Sequence, residues 1–251
     1  LTGLAEIAPE DPEPEFVDAN RDGLVVVTLQ ENNHIVIIDG KTGTVKTHFS
    51  AGAVNLEGID TKTDGQLKFT DKQEGRKREP DAVKWLDNDR IVIANEGDWQ
   101  GGSRGFTIFD KTGKLLYESG ASLEHAVAAI GHYPEKRSKA KGIEPEGLEA
   151  ATFGDQKYFF VLSERASVVA VYKDTGKEPE LTQLLPSGVS PEGAVAMGCW
   201  VWGAVVVVWP FLSGRLWAVA STSVRAERSG SAPELFTRMD TTISSGPTIW
   251  L

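Results

Sequence analysis

The sequence predicts an all-β fold, a β-propeller of four-stranded antiparallel blades that is incomplete in this chain. Three observations predict it. An acidic-proline-acidic step recurs, each copy is followed by short β-branched strands between Gly, Asn and Asp turns, and each unit has the roughly 40-residue length of one blade. The copies of the step are Glu13-Pro14-Glu15, Glu79-Pro80-Asp81 and Glu144-Pro145-Glu146, with a weaker fourth start at Ser190-Pro191-Glu192-Gly193.

The first repeat spans about residues 13–52 and has the strand order that the next two follow. A short first strand comes after the step, and turn-forming residues separate the strands that come next. Such runs are typical of an antiparallel meander, whose faces are buried by stacking on neighbouring units. The predicted strands are 16–17, 24–29, 34–39 and 44–49 in repeat one, 81–83, 90–94, 105–110 and 115–117 in repeat two, and 147–151, 158–162, 167–172 and 181–185 in repeat three.

Two longer insertions, 53–78 and 118–143, separate the repeats. The second contains apolar residues at helical spacing, which predict one short helix over about 121–130. Ser122 stands at its start, where a serine hydroxyl commonly caps a helix. The insertions are therefore expected to sit beside the blades without interrupting them.

The composition changes towards the end of the chain, because residues 193–251 contain four arginines, three acids and no lysine. We divide the chain into 1–197, about three to four blades, and 198–251, an atypical tail. The tail is interpreted as a degenerate blade or as out-of-frame sequence. A third alternative is a membrane helix, since 194–212 is uncharged and long enough, although Gly198, Gly203 and Pro210 interrupt it.

Charge and motif content narrow the function. The 36 acids and 26 bases give a net charge of −10, which argues against nucleic acids and anionic membranes as partners and favours cations, or ligands that cations carry. The single cysteine cannot form an internal disulfide. The four histidines show no paired ligand spacing, and the sequence has no Gly-x-Ser-x-Gly motif, so serine hydrolysis is disfavoured. No signal peptide is recognised at Leu1, so localisation is not predicted from the start of the chain.

Several strings resemble those of a known family. Residues 13–17 (EPEFV), 27–33 (VTLQENN), 80–83 (PDAV) and 94–98 (ANEGD) resemble the choice-of-anchor I proteins, and 142–149 (GIEPEGLE) is similar to the domain called esterase-like activity of phytase. The resemblance spans about residues 12–197. It implies a YVTN/WD40-like propeller that is secreted, periplasmic or on the cell surface, and a phytase-like, alkaline phosphatase-like or esterase-like activity.

The repeated acids are the candidate site. In a propeller the first strand of each blade lines the central channel, so the second acids of successive steps should surround one channel mouth, stiffened by a proline that biases the residue before it to extended backbone. A second carboxylate follows each of the three clear steps by 15 to 18 residues and could form another tier. Oxygen ligands of this kind suit Ca²⁺ or Mg²⁺ and not zinc, and Ca²⁺ is the cofactor we expect. The candidates are Glu15, Asp81, Glu146 and Glu192 at the mouth, and Glu31, Glu96, Asp98 and Glu164 beside it.

Three roles stay open for these acids. They could hold blades together through hydrogen bonds and arginine pairs, bind a cation or a small-molecule or phosphoester ligand, or support divalent-metal-assisted hydrolysis of a phosphoester or ester bond. In the last case Arg78 or Arg165 could stabilise negative charge, and no catalytic residue is assigned. The alternative function is a non-catalytic binding or scaffold propeller. Any membrane attachment is expected through an anchor outside this chain, and the oligomeric state is not predicted.

Overall fold

The computed structural model describes residues 3–199 and 203–210, and side chains within 3–196. Its first blade and first insertion are antiparallel throughout. Blade 1 has the strand order β1-β2-β3-β4, and the insertion forms the hairpin β5-β6. The bounds are β1 (Pro14–Ala19), β2 (Leu24–Leu29), β3 (His34–Asp39), β4 (Val45–Ser50), β5 (Ala53–Ile59) and β6 (Asp71–Lys77).

Two further four-stranded sheets and a last hairpin follow. Blade 2 contains β7 (Val83–Trp85), β8 (Arg90–Ala94), β9 (Phe106–Asp110) and β10 (Leu115–Glu118). Blade 3 contains β11 (Pro145–Phe153), β12 (Gln156–Ser163), β13 (Val168–Lys173) and β14 (Glu180–Pro186). The hairpin pairs β15 (Pro191–Cys199) with β16 (Gly203–Pro210), and β15 lies beside β11. The predicted all-β, partial propeller is confirmed.

The core lies between blades, because successive residues of a strand face opposite sides of its sheet. In β8, Ile91 and Ile93 pack with blade 1, whereas Val92 and Ala94 pack with blade 3. The interface of blades 2 and 3 also contains an aromatic cluster of Phe106, Phe159 and Tyr172. Residues of β12 and β13 on the other face of blade 3 pack against Ala194 of β15. Blades 2 and 3 are therefore packed on both faces, as the repeat pattern predicts.

The second insertion contains the predicted helix, α1 (Ser122–Ala129), followed by a short 3₁₀ turn at Glu135–Arg137. The capping prediction for Ser122 is wrong, since Ala121 occupies the N-cap position and no side chain caps the helix. Burial holds α1 instead: Leu123 and Val127 are buried in the core between blades 2 and 3. The fully buried Glu124 pairs with Arg104 at 3.4 Å and links α1 to the loop before β9.

The apolar stretch 194–212 forms strands wherever the structure describes it. Residues 194–199 belong to β15 and 203–210 to β16, paired antiparallel from Pro191 with Pro210 to Cys199 with Gly203. The membrane-helix alternative is therefore wrong for these residues, because β-branched residues and glycine interruptions favour extended backbone over helix. No helix within the described ranges is long and apolar enough to cross a membrane. The out-of-frame interpretation concerns mostly residues 211–251, which lie outside them.

An ion pair joins blades 2 and 3 and makes a testable contribution. Both terminal nitrogens of Arg90 donate to the Asp174 carboxylate, at 2.9 and 2.6 Å, and the Asp174 side chain is only 2% exposed. Without Asp174, the half-buried Arg90 keeps its pair with Asp87, which accepts from Arg90 Nε at 2.9 Å, but loses both bonds to blade 3. We expect Asp174→Ala to lower the free energy of unfolding by about 2 kcal/mol in urea titration.

The exposed pair of Lys111 with Asp89, at 2.6 Å, provides the control for that measurement. Exposed pairs contribute little, so Asp89→Ala should change the free energy of unfolding by less than about 0.5 kcal/mol. Equal losses for the two variants would show that Asp174 has no special role between the blades.

Candidate functional site

The second acids of the steps stand at the start of the first strand in each of four successive units. Glu15, Glu146 and Glu192 are the second residues of β1, β11 and β15, and Asp81 lies two residues before β7. Two contacts align these strands: the Thr28 hydroxyl donates to the Asp81 carbonyl at 2.6 Å, and the Ala82 N–H donates to the Glu146 carbonyl at 3.3 Å. The starts of the first strands therefore lie side by side.

The electrostatics of Asp81 show that these acids gather at one place. Burial and, after it, the charges of Glu96, Glu15 and Glu192 together raise the pKa of Asp81 to about 7, against the opposite effect of Lys141. Acids from units 1, 2 and 4 thus act on a single carboxyl. The structure brings the predicted channel-mouth acids together.

Three of these acids form the tightest group. Carboxylate oxygens of Glu146, Glu164 and Glu192 lie within 4.8 Å of one another, and we call these three residues the acidic triad. Glu164 is buried, and the other two are half-buried. Burial and, after it, the charges of Glu164, Glu96, Asp81 and Glu192 together raise the pKa of Glu146 to about 9. Within the described part of the chain, no other three ligand-type side chains approach so closely. In the same part of the chain, the triad has three acids and one direct cationic partner, Arg165, which contacts Glu164 at 2.7 Å, so negative charge is in excess.

Glu96 lies next to the triad but already has partners. Its carboxylate accepts from Lys141 at 2.6 Å and from the Gln30 amide at 2.6 Å. Burial raises the pKa of Glu96, while Lys141 and Gln30 lower it. The Lys141 amine also lies 3.7 Å from Asp98. Glu96 therefore flanks the triad as a charge-compensated neighbour, and the exposed Asp98 shares its lysine.

Glu15 and Glu31 share a setting of neighbouring acids. Burial raises the pKa of Glu15, and Glu13 and Asp98 raise it further. Partial burial likewise raises the pKa of Glu31, ahead of the charges of Glu13, Asp98 and Glu79. Neither residue joins the acidic triad. The structure thus divides the predicted acids into a tight triad and a looser acidic rim.

The first acids of the second and third steps, Glu79 and Glu144, which sequence reasoning did not single out, have structural roles. Glu79 is fully buried, and its carboxylate accepts the backbone N–H groups of Asp98, Trp99 and Gln100 at 2.7 to 2.8 Å. Glu144 is also fully buried and accepts from Arg137 at 2.6 Å. These carboxylates hold the loops that surround the mouth.

The expected extended backbone before the proline is wrong for three of the four steps. Glu79, Glu144 and Ser190 have φ of 42°, 50° and 52°, in the left-handed region. Steric repulsion from the following proline disfavours helical backbone but does not fix φ. Here the hydrogen bonds of the buried carboxylates, and the Glu79 N–H donated to Asn33 Oδ1 at 2.9 Å, hold the strained conformation. The recurrence of a first acid in the three clear steps was the sequence feature that could have indicated this structural role.

The two arginines proposed at the mouth differ. Arg78 is buried and donates to Glu118, Thr107 and the Ala51 carbonyl, so the prediction that it serves the acid ring is wrong. The guanidinium N–H groups of Arg78 form contacts between blades 1 and 2. Arg165 lies at the triad: it contacts Glu164 at 2.7 Å and keeps its side chain 42% exposed.

The sequence model of the Choice-of-anchor I domain matches residues 5–102 and 100–177, well over half of the chain. The chain belongs to the choice-of-anchor I family. The resemblance predicted from the sequence is confirmed for this family, and both matched segments lie within blades 1 to 3. The triad residue Glu192 lies beyond the match, at the start of β15.

Solved structures similar to this choice-of-anchor I domain include Kuenenia stuttgartiensis hydrazine synthase, with 11% identity and a TM-score of 0.45 over 84% of this chain. A streptogramin B lyase has 12% identity and a TM-score of 0.45 over 81% of it. The chain spans 48% and 56% of those two proteins. No curated protein matches it.

A second polar layer of this choice-of-anchor I domain lies three residues further along the first strands. Lys84 follows Asp81 at that spacing, and its amine lies 3.7 Å from carboxylates of Asp18 and Glu149, which follow Glu15 and Glu146 likewise. These three side chains line a cavity of about 760 Å³. In this layer the charge of Lys84 offsets the charges of Asp18 and Glu149. Among the described residues, no lysine forms an ion pair with the three acids of the triad.

The histidine prediction requires a correction. His34 and His48 lie side by side, with His34 Nε2 3.1 Å from His48 Nδ1. Their 14-residue separation hides the contact, which arises because β3 and β4 pair antiparallel. The other two histidines are apart from them: His125 contacts the Gly58 carbonyl and His132 the Ala166 carbonyl.

Proposed function

We propose that this domain is an extracytoplasmic propeller module that binds a divalent cation, Ca²⁺ by preference, at the acidic triad. The observation that carries the proposal is the approach of three carboxylates within 4.8 Å. Like charges at that distance are stable only when some bind protons or a cation neutralises them. The raised pKa of Glu146, to about 9, expresses the same cost in the absence of a cation.

The donor set favours calcium over transition metals. The triad offers carboxylate oxygens, and Ca²⁺ takes six to eight oxygen ligands in flexible geometry, completing its shell with water. Zinc sites generally include Cys or His. Glu146, Glu164 and Glu192 would hold the ion, and Asp81 and Glu96 would add negative potential from just outside it.

A surface setting agrees with such a site. Family membership supports a cell-surface or extracellular location, where modules bind Ca²⁺ with dissociation constants of about 10⁻⁴–10⁻³ M. Half-buried carboxylates with Lys141 and Arg165 nearby suit that moderate range, because the two cations reduce the field of the acids. The ion would then join blade 3 to the hairpin β15-β16 through Glu192.

Ester hydrolysis is the second candidate, and the position of Arg165 favours it. A bound divalent cation would supply charge neutralisation and polarise a phosphate or carboxylic ester oxygen. Arg165 contacts Glu164 yet stays 42% exposed, so its guanidinium can also meet a ligand anion. The non-catalytic alternative is a binding or scaffold propeller in which the ion only joins the blades.

The cation site is tested by calorimetric titration with Ca²⁺ at pH 7.5. Glu146→Gln removes one charged ligand while keeping its size, so we expect at least about 10-fold weaker binding. Glu57→Gln is the matched control, since Glu57 lies on the exposed hairpin β5-β6 paired with Lys72 at 2.7 Å. Equal affinity in the wild type and Glu146→Gln would contradict the proposal.

Hydrolysis is tested separately with p-nitrophenyl phosphate and p-nitrophenyl acetate, with and without Ca²⁺. Calcium-dependent turnover that Glu146→Gln and Arg165→Ala both reduce would support the enzyme. Calcium binding with no turnover of either substrate would favour the scaffold, and it would leave the cation site in place.

A further inference from the structure

The pair of histidines on blade 1 is separate from the acidic triad. His34 begins β3 and is 4% exposed, and His48 lies on the neighbouring strand β4 and is exposed. In the register of the two strands His34 is opposite Ser50 and His48 is opposite Val36, so the two side chains are diagonal neighbours on one face. Their rings stack with centroids 5.3 Å apart.

The backbone next to His34 is held in place. Asn33 has φ of 49°, and its side chain donates to the Gly52 carbonyl at 2.9 Å while accepting the Glu79 N–H at 2.9 Å. The Ala51 N–H donates to the Asn33 carbonyl at 2.8 Å. These bonds fix the turn between β2 and β3, and with it the start of the strand that carries His34.

The separation of the two ring nitrogens matches that of two ligands on one metal ion. At metal–nitrogen distances of about 2.0–2.1 Å, two ligands are about 2.9 Å apart at a right angle and about 3.3 Å apart at the tetrahedral angle. The observed distance from His34 Nε2 to His48 Nδ1 is 3.1 Å. Because His48 is exposed, water can supply the remaining ligands from the solvent side.

We propose that His34 and His48 form a two-imidazole site for a late first-row transition metal, with Cu²⁺ bound most tightly. Neutral imidazole is a good ligand for nickel, copper and zinc. The affinity of such a site rises from Ni²⁺ to a maximum at Cu²⁺ and is lower again for Zn²⁺. Burial lowers the pKa of His34 to about 4, so this ring is neutral and able to bind at physiological pH. Hard cations such as Ca²⁺ are not expected there, since they prefer oxygen.

The test is a Cu²⁺ titration of the whole chain at pH 7.5, followed by calorimetry and electron paramagnetic resonance. Excess Mg²⁺ is present throughout to suppress weak binding of Cu²⁺ to carboxylates. His48→Ala is the main variant because His48 is exposed and its removal should leave the fold intact, as checked by circular dichroism. We expect at least about 10-fold weaker Cu²⁺ binding and loss of the splitting from two nitrogen ligands.

His132→Ala serves as the matched control, because His132 contacts only the Ala166 carbonyl through Nδ1 and lies on another part of the fold. It should keep the affinity and spectrum of the wild type. A wild-type spectrum without nitrogen splitting, or His48→Ala binding Cu²⁺ as the wild type does, would overturn the proposal and leave the pair as a hydrogen bond. His34→Gln should match His48→Ala, and any difference in fold between them is visible in the circular dichroism.

Discussion

Glu79→Ala is expected to lower the free energy of unfolding by about 3–5 kcal/mol. The Glu79 carboxylate is fully buried and accepts three consecutive backbone N–H groups, from Asp98 to Gln100. Alanine would leave these donors without their acceptor and would release the loop that carries Asp98. It would also remove the hydrogen bonds that hold residue 79 at a positive φ. Urea or thermal unfolding measures the loss.

Glu13→Ala is the matched control, because Glu13 occupies the same place in the first step and is only half-buried. At this position only backbone atoms are engaged: its N–H donates to Asn32 and its carbonyl accepts from Gln30. Its removal should cost less than about 0.5 kcal/mol. Similar losses at positions 13 and 79 would contradict the structural role given to the buried first acid.

The cation-free protein should lose stability as the pH rises from about 6.5 to 9, against the usual behaviour of carboxylates. The pKa of Glu146 is raised from 4.5 to about 9 and that of Asp81 from 3.8 to about 7. Between the unfolded and folded pKa values, the folded state holds protons that the unfolded state has lost. The stability from this protonation is complete below pH 4 and is lost as the pH rises through 7 and then 9.

Thermal unfolding in EDTA across this window measures the effect. We expect the melting temperature to fall by on the order of 5 °C, and Glu146→Gln, which stays neutral, to reduce that fall. Starting at pH 6.5 avoids His34, whose pKa is lowered to about 4 and whose contribution is lost only at lower pH. Ca²⁺ should restore stability at pH 9. A melting temperature that is flat or rises with pH in both proteins would contradict the strained triad.

Much of the fold could be predicted from the sequence because blade packing follows period-two patterns. The alternation in β8, with Ile91 and Ile93 on one face and Val92 and Ala94 on the other, matches the two interblade cores. The repeated steps likewise predicted which acids would meet at the mouth. Both patterns, the alternation within a strand and the acidic-proline-acidic step, involve residues close together in the sequence. Each is easier to recognise because it recurs in successive repeats.

The remaining features depend on contacts between residues that are distant in the sequence, and no local sequence pattern predicts such contacts. The role of Glu79 arises from a loop 19 to 21 residues further along the chain, and the contact of His34 with His48 arises from strand register. The triad itself needs Glu192 of the next unit beside Glu146, which only the stacking of β15 on β11 provides. The prediction that Ser122 caps the helix was wrong because the burial of Leu123 and Val127, and not a side-chain cap, stabilises the helix.

Anomalous diffraction from crystals grown with Ca²⁺, or with Mn²⁺ as a stronger scatterer, tests the central claim most directly. The account predicts an ion between Glu146, Glu164 and Glu192, with Ca²⁺–oxygen distances of about 2.3–2.6 Å. Crystals that contain the cation at about 5 mM with no anomalous peak at these three carboxylates, or with a peak only elsewhere, would contradict it.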